Sequence, residues 1–412
     1  MNAWAIQRRT TSTVAILLFG AAILVGPIHG ATLRVPQDHA TIQAAIDAAG
    51  NGDDIIVSPG TYPESIRFKG KNIVLRSTAP TNASVVAATI LTARPATWVD
   101  PVVSFAGTEA SSCVLEGFTI TKGAAALGAG ISGSGTHATI RTNRIVGNHG
   151  APPWRPSGAV LGGGLFDCDG LIRDNVISDN SASTLAIGMG GGLYGCDGII
   201  ENNLISGNWA TGYFVGPGFG GGLAWCNGAI LQNVIRENYA DFGGGLGMCQ
   251  ATMENNLITS NSASQDGGLS ACAGTIRNCT IAANASDLGP AALGYCTGTI
   301  VNCIVWGNRA GDGTQIGNSS APIYSCIEGF TSGGVGNIGS NPRFRGPDDF
   351  HLRRGSPCID AGANAYCPAN DLDGAARPLD GDGDGRAICD MGAYEFPTLP
   401  AWAGSGRWWL YD

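Results

Sequence analysis

Apolar positions along this chain recur in short blocks, with no continuous helical stripe. A glycine-rich block ending in Leu stands at 162–165, 190–193, 220–223 and 243–246, with weaker copies ending at Ile131, Leu269 and Leu293. Three residues after the apolar residue comes Cys168, Cys196, Cys226, Cys249, Cys272 or Cys296, with Ser134 in the first copy. Further on, an apolar residue is followed at +3 by Asn or Cys, at +5 by Ile or Val and at +8 by Asn, as in Ile172, Asn175, Ile177 and Asn180. The last position is held by Asn148, Asn180, Asn208, Asn238, Asn261, Asn284 and Asn308, 23 to 32 residues apart. That period suits one coil of a parallel β-solenoid, made of short strands joined by turns. Stacked coils place equivalent residues about 4.8 Å apart, so each Asn is expected to hydrogen-bond its copies above and below. Asn tolerates left-handed backbone as Gly does, so both residues are expected at tight corners. Coils can be traced outward to 115–120 and 323–326, at least nine in all.

This arrangement explains the composition. Glycine supplies 64 of 412 residues, about twice average usage, and its placement marks corners of a scaffold. Charged residues make up 13%, too few for a coiled coil or a long helical bundle. A net charge of −9 and a pI near 5 argue against nucleic acid as partner. Residues 1–30 read as a secretory signal: Arg8 and Arg9 precede an apolar run at 14–25, and Ile28 and Gly30 suit cleavage before Ala31. The run is short for a membrane anchor, and residues 10–12 fit twin-arginine export poorly. Removal would bring the net charge to 21 − 32 = −11. No other stretch is expected to cross a membrane, so the chain is expected outside the cell, secreted or on its surface.

The Gly-Gly-Gly-Leu and Ile-x-x-Asn pairing resembles the repeats of secreted right-handed parallel β-helix proteins, and also those of chlamydial polymorphic outer-membrane proteins. Residues 35–66, VPQDHATIQAAIDAAGNGDDIIVSPGTYPESI, resemble the entry of pectin-lyase-like β-helices. Within them Ile42, Ala45, Ile46 and Ala49 form one apolar helical face, as a cap over an open solenoid end requires. SPCIDAG (356–362), DLDGAARP (371–378) and DMGAYEF (390–396) resemble the choice-of-anchor Q module. The resemblances imply an all-β right-handed parallel β-helix with a short N-terminal capping helix. They also imply the following division: signal 1–30, solenoid 31–345, C-terminal module 346–397 and tail 398–412.

Thirteen cysteines in an exported chain raise the question of disulfides. Six share one repeat position, and Cys279, Cys303 and Cys326 share another, held by Asn in earlier coils. Parallel Cβ vectors make bridging along a stack awkward, so these are expected to form a buried ladder of thiols. Cys358, Cys367 and Cys389 lie outside the repeat and are the better disulfide candidates.

From Leu to the final Asn the spacing is 15 in six consecutive coils, so length varies in the segment that follows. Three successive such loops are long, 149–161, 181–189 and 209–219, and insertions at one turn of a solenoid emerge along one edge. They carry Trp154, Arg155, Trp209, Tyr213 and Phe214, with Tyr239 and Phe242 in the next coil. Exposed aromatics beside polar groups suit sugar rings; the alternative is a small satellite core beneath the loops.

Catalytic strings are sparse. GTYPE (60–64) resembles a pectinesterase segment, but the same string occurs in non-enzymatic β-helices. Asp241-Phe242 and Gln265-Asp266 match pectinesterase motifs only faintly and in reversed order, although adjacent coils would bring the two carboxylates close. His39, His137, His149 and His351 suggest no triad or metal pair. Asp380, Asp382, Asp384 and Gly385 match the first half of an EF-hand loop, but Met391 replaces the closing Glu. Calcium held by these three aspartates is one expectation, and an exposed Asp-Gly turn is the other. Two functional classes follow. One is a non-enzymatic surface protein presenting a loop edge to polysaccharide, cell-surface glycans or another polymer. The other is a polysaccharide lyase or glycoside hydrolase.

Overall fold

The computed structural model describes residues 30–94, 100–150 and 158–397. The expected signal (all but Gly30) and the tail from 398 lie outside the described residues. The chain winds as a parallel β-helix of short strands, every strand among the described residues pairing with its copy in a neighbouring coil. Each coil in the regular region follows the repeat in order. The Leu enters a ten-stranded sheet running from Ile66–Arg67 to Ile316–Gly317, here called the Leu sheet. The next apolar residue enters the first Ile sheet, eleven strands from Thr32–Val35 to Ile300–Val301. The third enters the second Ile sheet, eleven strands from Gly60–Pro63 to Cys326–Ile327. In register, Leu165, Leu193, Leu223, Leu246, Leu269 and Leu293 stack on one another, as do Ile145, Ile177, Ile205, Ile235, Ile258 and Ile281. All are fully buried, so the core is one continuous column of aliphatic ladders. Burial of such side chains contributes roughly 1.5–3 kcal/mol each, which is why a coil with only three inward apolar strands can hold its place.

The open N-terminal end is capped as expected. The helix Ile42–Ala48 buries Ile42, Ala45 and Ile46. The GTYPE segment serves this cap: Glu64 accepts the orphan amides of Ile42 and Gln43 at 3.0 and 2.9 Å. At the other end Lys71 Nζ donates to the carbonyls of Ile46, Asp47 and Ala49.

Two asparagine ladders turn the corners of each coil. Asn180 Nδ2 donates to Ile145 O and to Asn208 Oδ1, and Asn208 and Asn238 repeat the pattern at 2.9–3.0 Å. The other corner carries Asn143, Asn175, Asn203 and Asn233, bonded in the same way, and Asn256, which donates to Ile230 O and faces a thiol in the next coil. There the Asn run gives way to Cys279 and Cys303, whose thiols donate to the backbone carbonyls of Arg277 and Val301, the Cys279 sulfur also accepting from Asn256 Nδ2. The left-handed residue is not the ladder Asn itself, as expected, but the residue before it: Asp174, Asn202, Gln232 and Asn255 at one corner, Asp179, Gly207, Glu237 and Ser260 at the other. The Asn is present for its two-sided amide, which satisfies backbone groups that no strand can reach.

Glycine has two separate duties in each block. Gly190 has φ +65°, where a side chain is strained. Gly191 has no such φ, but a Cβ there would lie 2.4 Å from Trp209 N and 2.5 Å from Gly221 O. The block is thin because other backbone passes directly over it.

That backbone belongs to a fourth, six-stranded sheet, from Ser181–Ser183 through Trp209–Thr211 and Tyr239–Phe242 to Arg309–Ala310. Segments read above as loops thus begin as strands. Ala182, Ala210 and Ala240 face inward, fully buried, while the residues on either side of them stay at least partly open. Among the described residues no helix is long and apolar enough to cross a membrane.

The six-membered cysteine ladder stands as the repeat suggests, but Cys326 does not continue the column of Cys279 and Cys303. It pairs in register with Ile304, and Ser325 takes the ladder place, its Oγ accepting from Cys303 N, while Cys358 stays unbridged. Cys367 and Cys389 form a disulfide with Cα atoms 5.9 Å apart, and the other eleven are free and buried. Cys358 packs beside Cys326 in an apolar cluster with Leu352, Ile359 and Met391. Burial, the largest effect, holds the Cys226 and Cys303 thiols well above their ordinary range, so neither is a nucleophile at neutral pH.

The C-terminal segment lies across the later coils. It meets the outer face of the second Ile sheet at Leu257, Ala282 and Ile304 through Phe350, Leu352, Tyr394 and Phe396. Its polar anchor is the fully buried pair Arg377–Glu395, with Nε–Oε2 at 2.6 Å. Arg377 also donates to Asn255 Oδ1 and to the carbonyls of Asp390 and Gly392. Burial, with the Glu395 charge beside it, pushes the Asp390 carboxyl up to about 8.

Candidate binding edge on the fourth sheet

Strand register builds this edge from one repeat position. The residue immediately after each ladder Asn stacks along the fourth sheet: His149, Ser181, Trp209, Tyr239 and Ser262. The inward Ala two positions on from that Asn fixes the register, because a one-residue slip would bury Trp209 and Tyr239. Trp209 is 53% exposed, and its ring centroid lies 5.4 Å from that of Tyr239 in an edge-on arrangement. His149 Nδ1 lies 3.0 Å from Ser181 Oγ, and Thr211 Oγ1 donates to Ser183 Oγ at 3.0 Å. His149, Ser181, Ser183, Trp209 and Thr211 line a groove of about 470 Å³ together with Asp179, Asn180 and Gly207. Gly207 keeps it open, since a Cβ there would meet Asp179 Oδ1 at 2.8 Å. An aromatic face beside hydroxyls, a carboxylate and an imidazole can bind a ligand that is apolar on one side and hydroxylated on its rim.

Of the residues singled out in the sequence, Trp209 lines this groove, and Tyr239 packs against its ring from the next coil. Tyr213 and Phe214 are 77% and 76% exposed and pair with each other, centroids 5.0 Å apart, on a loop beyond it. That loop is closed at its base by Asp241 Oδ2, which accepts from Gly212 N at 2.9 Å and Gly218 N at 2.6 Å. Phe242 stacks on Phe219 at 5.2 Å and serves packing, as the satellite-core alternative supposes. Trp154 and Arg155 lie outside the described residues. Sequence reasoning passes over Ser181, Ser183 and Thr211, and it notes His149 without placing it. Their shared signal is the position after the ladder Asn, with Ala next in most coils.

The carboxylates weighed for catalysis are otherwise occupied. Asp241 holds its own loop, and Asp266 is 1% exposed and accepts from Ser270 Oγ. Burial raises the Asp266 pKa. At the C-terminus Asp380 and Asp382 converge with Asp360, with one oxygen from each within 4.8 Å of the others. Asp384 instead caps Arg386 N at 2.8 Å. The set offers hard oxygen ligands of the kind calcium takes. Every member also caps a turn: Asp360 accepts from Gly381 N and Asp382 N, Asp380 from Gly383 N and Gly385 N, and Asp382 from Asp384 N. The turn reading therefore accounts for these residues without an ion.

No family model matches the chain, and no curated protein matches it. Among solved structures it is similar to the pectate lyase Pel9A, with a TM-score of 0.52 at 14% identity, covering 89% of this chain and 96% of that one. The fold is that of the pectate-lyase β-helix. At this identity the likeness concerns architecture alone.

Proposed function

We propose that this protein is an exported, non-enzymatic β-helix that binds polysaccharide along the edge of its fourth sheet. The observation that carries this reading is the half-exposed Trp209, which lines a polar groove and is backed edge-on by Tyr239 of the next coil. An indole left in water on a rigid sheet costs solvation that packing alone does not require, and it offers the apolar C–H face of a sugar a flat partner. The likeness to a pectate lyase supports a polymer-following surface, because a solenoid offers equivalent positions at about 4.8 Å intervals. The signal-like leader supports export, and residues 346–397, resembling the choice-of-anchor Q module, support placement at a surface. The enzyme reading has weaker support, since Asp241 and Asp266 both serve structure.

Affinity electrophoresis against a polysaccharide panel tests the proposal. Trp209→Ala is expected to weaken retention about tenfold, roughly 1.4 kcal/mol, with unchanged circular dichroism. Retention equal to wild type on every retained polymer would refute it. Release of unsaturated uronates or reducing ends from any polymer would replace it with the lyase or hydrolase reading.

A further inference from the structure

One short stretch near the end of the solenoid concentrates arginine in this acidic chain. Residues 343–354 carry Arg343, Arg345, Arg353 and Arg354, four of the 23 Lys and Arg in the chain. Phe344 and Leu352 pair antiparallel, which sets Arg343 and Arg353 side by side: Arg353 N donates to Arg343 O at 3.1 Å and Arg345 N to His351 O at 2.9 Å. Arg343 Nη1 donates to Gly355 O at 2.9 Å, and Arg353 Nη2 donates to Arg345 O. Neutral carbonyls thus orient two guanidinium groups without discharging them. Among the described residues Arg343, Arg353 and Arg354 make no ion pair. The neighbouring Asp349 is taken by His351 at 2.5 Å.

These three arginines line a cleft of about 730 Å³ with Trp306, Asn341 and Phe344, where the last coils meet the C-terminal segment. Its size falls within the range of small-molecule sites, about 300–1,000 Å³. Trp306 ends the strand Ile304–Trp306 and is half-buried, fixed against the apolar cluster of Leu352 and Cys358. Like charges gathered in one cleft repel one another, and an anion relieves that repulsion. Guanidinium matches the planar, two-oxygen geometry of a carboxylate. An indole wall beside an amide suits a sugar ring and its hydroxyls.

We propose that this cleft binds an acidic sugar unit of a polyanionic polysaccharide, its carboxylate held by Arg343, Arg353 and Arg354 and its ring against Trp306. The inference stands apart from the fourth-sheet groove, so the test is run in a Trp209→Ala background. Calorimetry on the full chain would use an oligouronate, the same oligomer with its carboxyls reduced to alcohols, and inorganic sulfate. The oligouronate is expected to bind, with affinity falling as salt rises, and Arg353→Gln/Arg354→Gln is expected to weaken it about tenfold or more. Arg354→Gln alone, whose exposed side chain makes no hydrogen bond among the described residues, is expected to weaken it about threefold with an unchanged melting temperature. Absence of oligouronate binding, an unchanged affinity in the double variant, or equal binding of the reduced oligomer would overturn the proposal. Competition by sulfate at the same molar concentration would reduce the cleft to a simple inorganic-anion site and would overturn it too.

Discussion

At one corner of each coil stand Asn203, Asn233 and Asn256; at the other stand Asn208, Asn238 and Asn261. The hydrogen bonds of Asn203 and Asn233 match those of Asn208 and Asn238 in kind and length, yet the first corner is covered by chain in the later coils and the second is open. The difference lies in the left-handed residue before each ladder Asn or Cys. On the covered side these are Gln232, Asn255, Asn278 and Asn302, all amides. Gln232 donates to Asp371 O, Asn255 to Asn370 O, Asn278 to Asp390 O and Asn302 to Ala363 O. On the open side they are Asp179, Gly207, Glu237, Ser260 and Ala283, which form no comparable column of amide donors. A left-handed corner projects its side chain away from the core, so the choice of residue there decides whether a crossing segment finds partners or a groove stays free.

Arg377→Ala breaks the covered side hardest. It leaves Glu395 charged and fully buried, an expected loss of about 3–5 kcal/mol. Hydrogen exchange should accelerate across residues 360–396 while the strand Trp209–Thr211 keeps its protection. Equal acceleration in both regions would mean that the corners are not independent.

Asn233→Ala and Asn238→Ala compare the ladders directly. Each removes one amide that donates to the coils on both sides and accepts from the one before. Each should cost about 1–3 kcal/mol in denaturant unfolding, and the two costs should agree closely. A clearly smaller loss at Asn238 would show that the open corner draws on water where the covered one cannot.

How legible this comparison is in the sequence depends on the range of the interaction. The Leu, Ile and Asn ladders repeat at matched spacing, because each contact joins a residue to its own copy one coil away. The helix Ile42–Ala48 is legible from its apolar face, and the thiol ladder from its recurrence. The fourth sheet is not, because its strands offer only a central small residue between unlike neighbours, as in Trp209-Ala210-Thr211 beside Ser262-Ala263-Ser264. Docking of Asn255 to Asn370 spans 115 residues without any repeat to announce it. Asp360 joins Asp380 and Asp382 for the same reason, while spacing alone favours Asp384. In the site, Trp209 and Tyr239 are visible as aromatics, whereas Ser181, Ser183 and Thr211 look like any loop hydroxyls until register aligns them.

A smaller effect sharpens the open side. His149→Ala removes the first member of the stacked column and its contact with Ser181. Polysaccharide retention is expected to fall about threefold, roughly 0.6 kcal/mol, less than for Trp209→Ala because an exposed polar group exchanges one partner for water. A loss exceeding that of Trp209→Ala would move the centre of the site one coil toward the N-terminus.

The smallest expected effect lies on the covered side. His351 bonds to Asp349 at 2.5 Å and to Asp373 at 2.8 Å, and its ring lies 3.9 Å from that of Tyr394. Burial pulls its pKa down, but the hydrogen bonds and charges of Asp373 and Asp349 outweigh burial and leave it raised above 6.5. A raised histidine contributes stability that is full below its unfolded pKa and is lost as pH rises through the higher folded value. Wild type should therefore exceed His351→Gln in melting temperature at pH 5.5, and the gap should narrow as pH rises beyond 6.5. The side chains are partly exposed, so the contribution is expected to stay below about 1 kcal/mol. A gap that widens with pH would show that the neutral imidazole, stacked on Tyr394, is the form that holds the segment down.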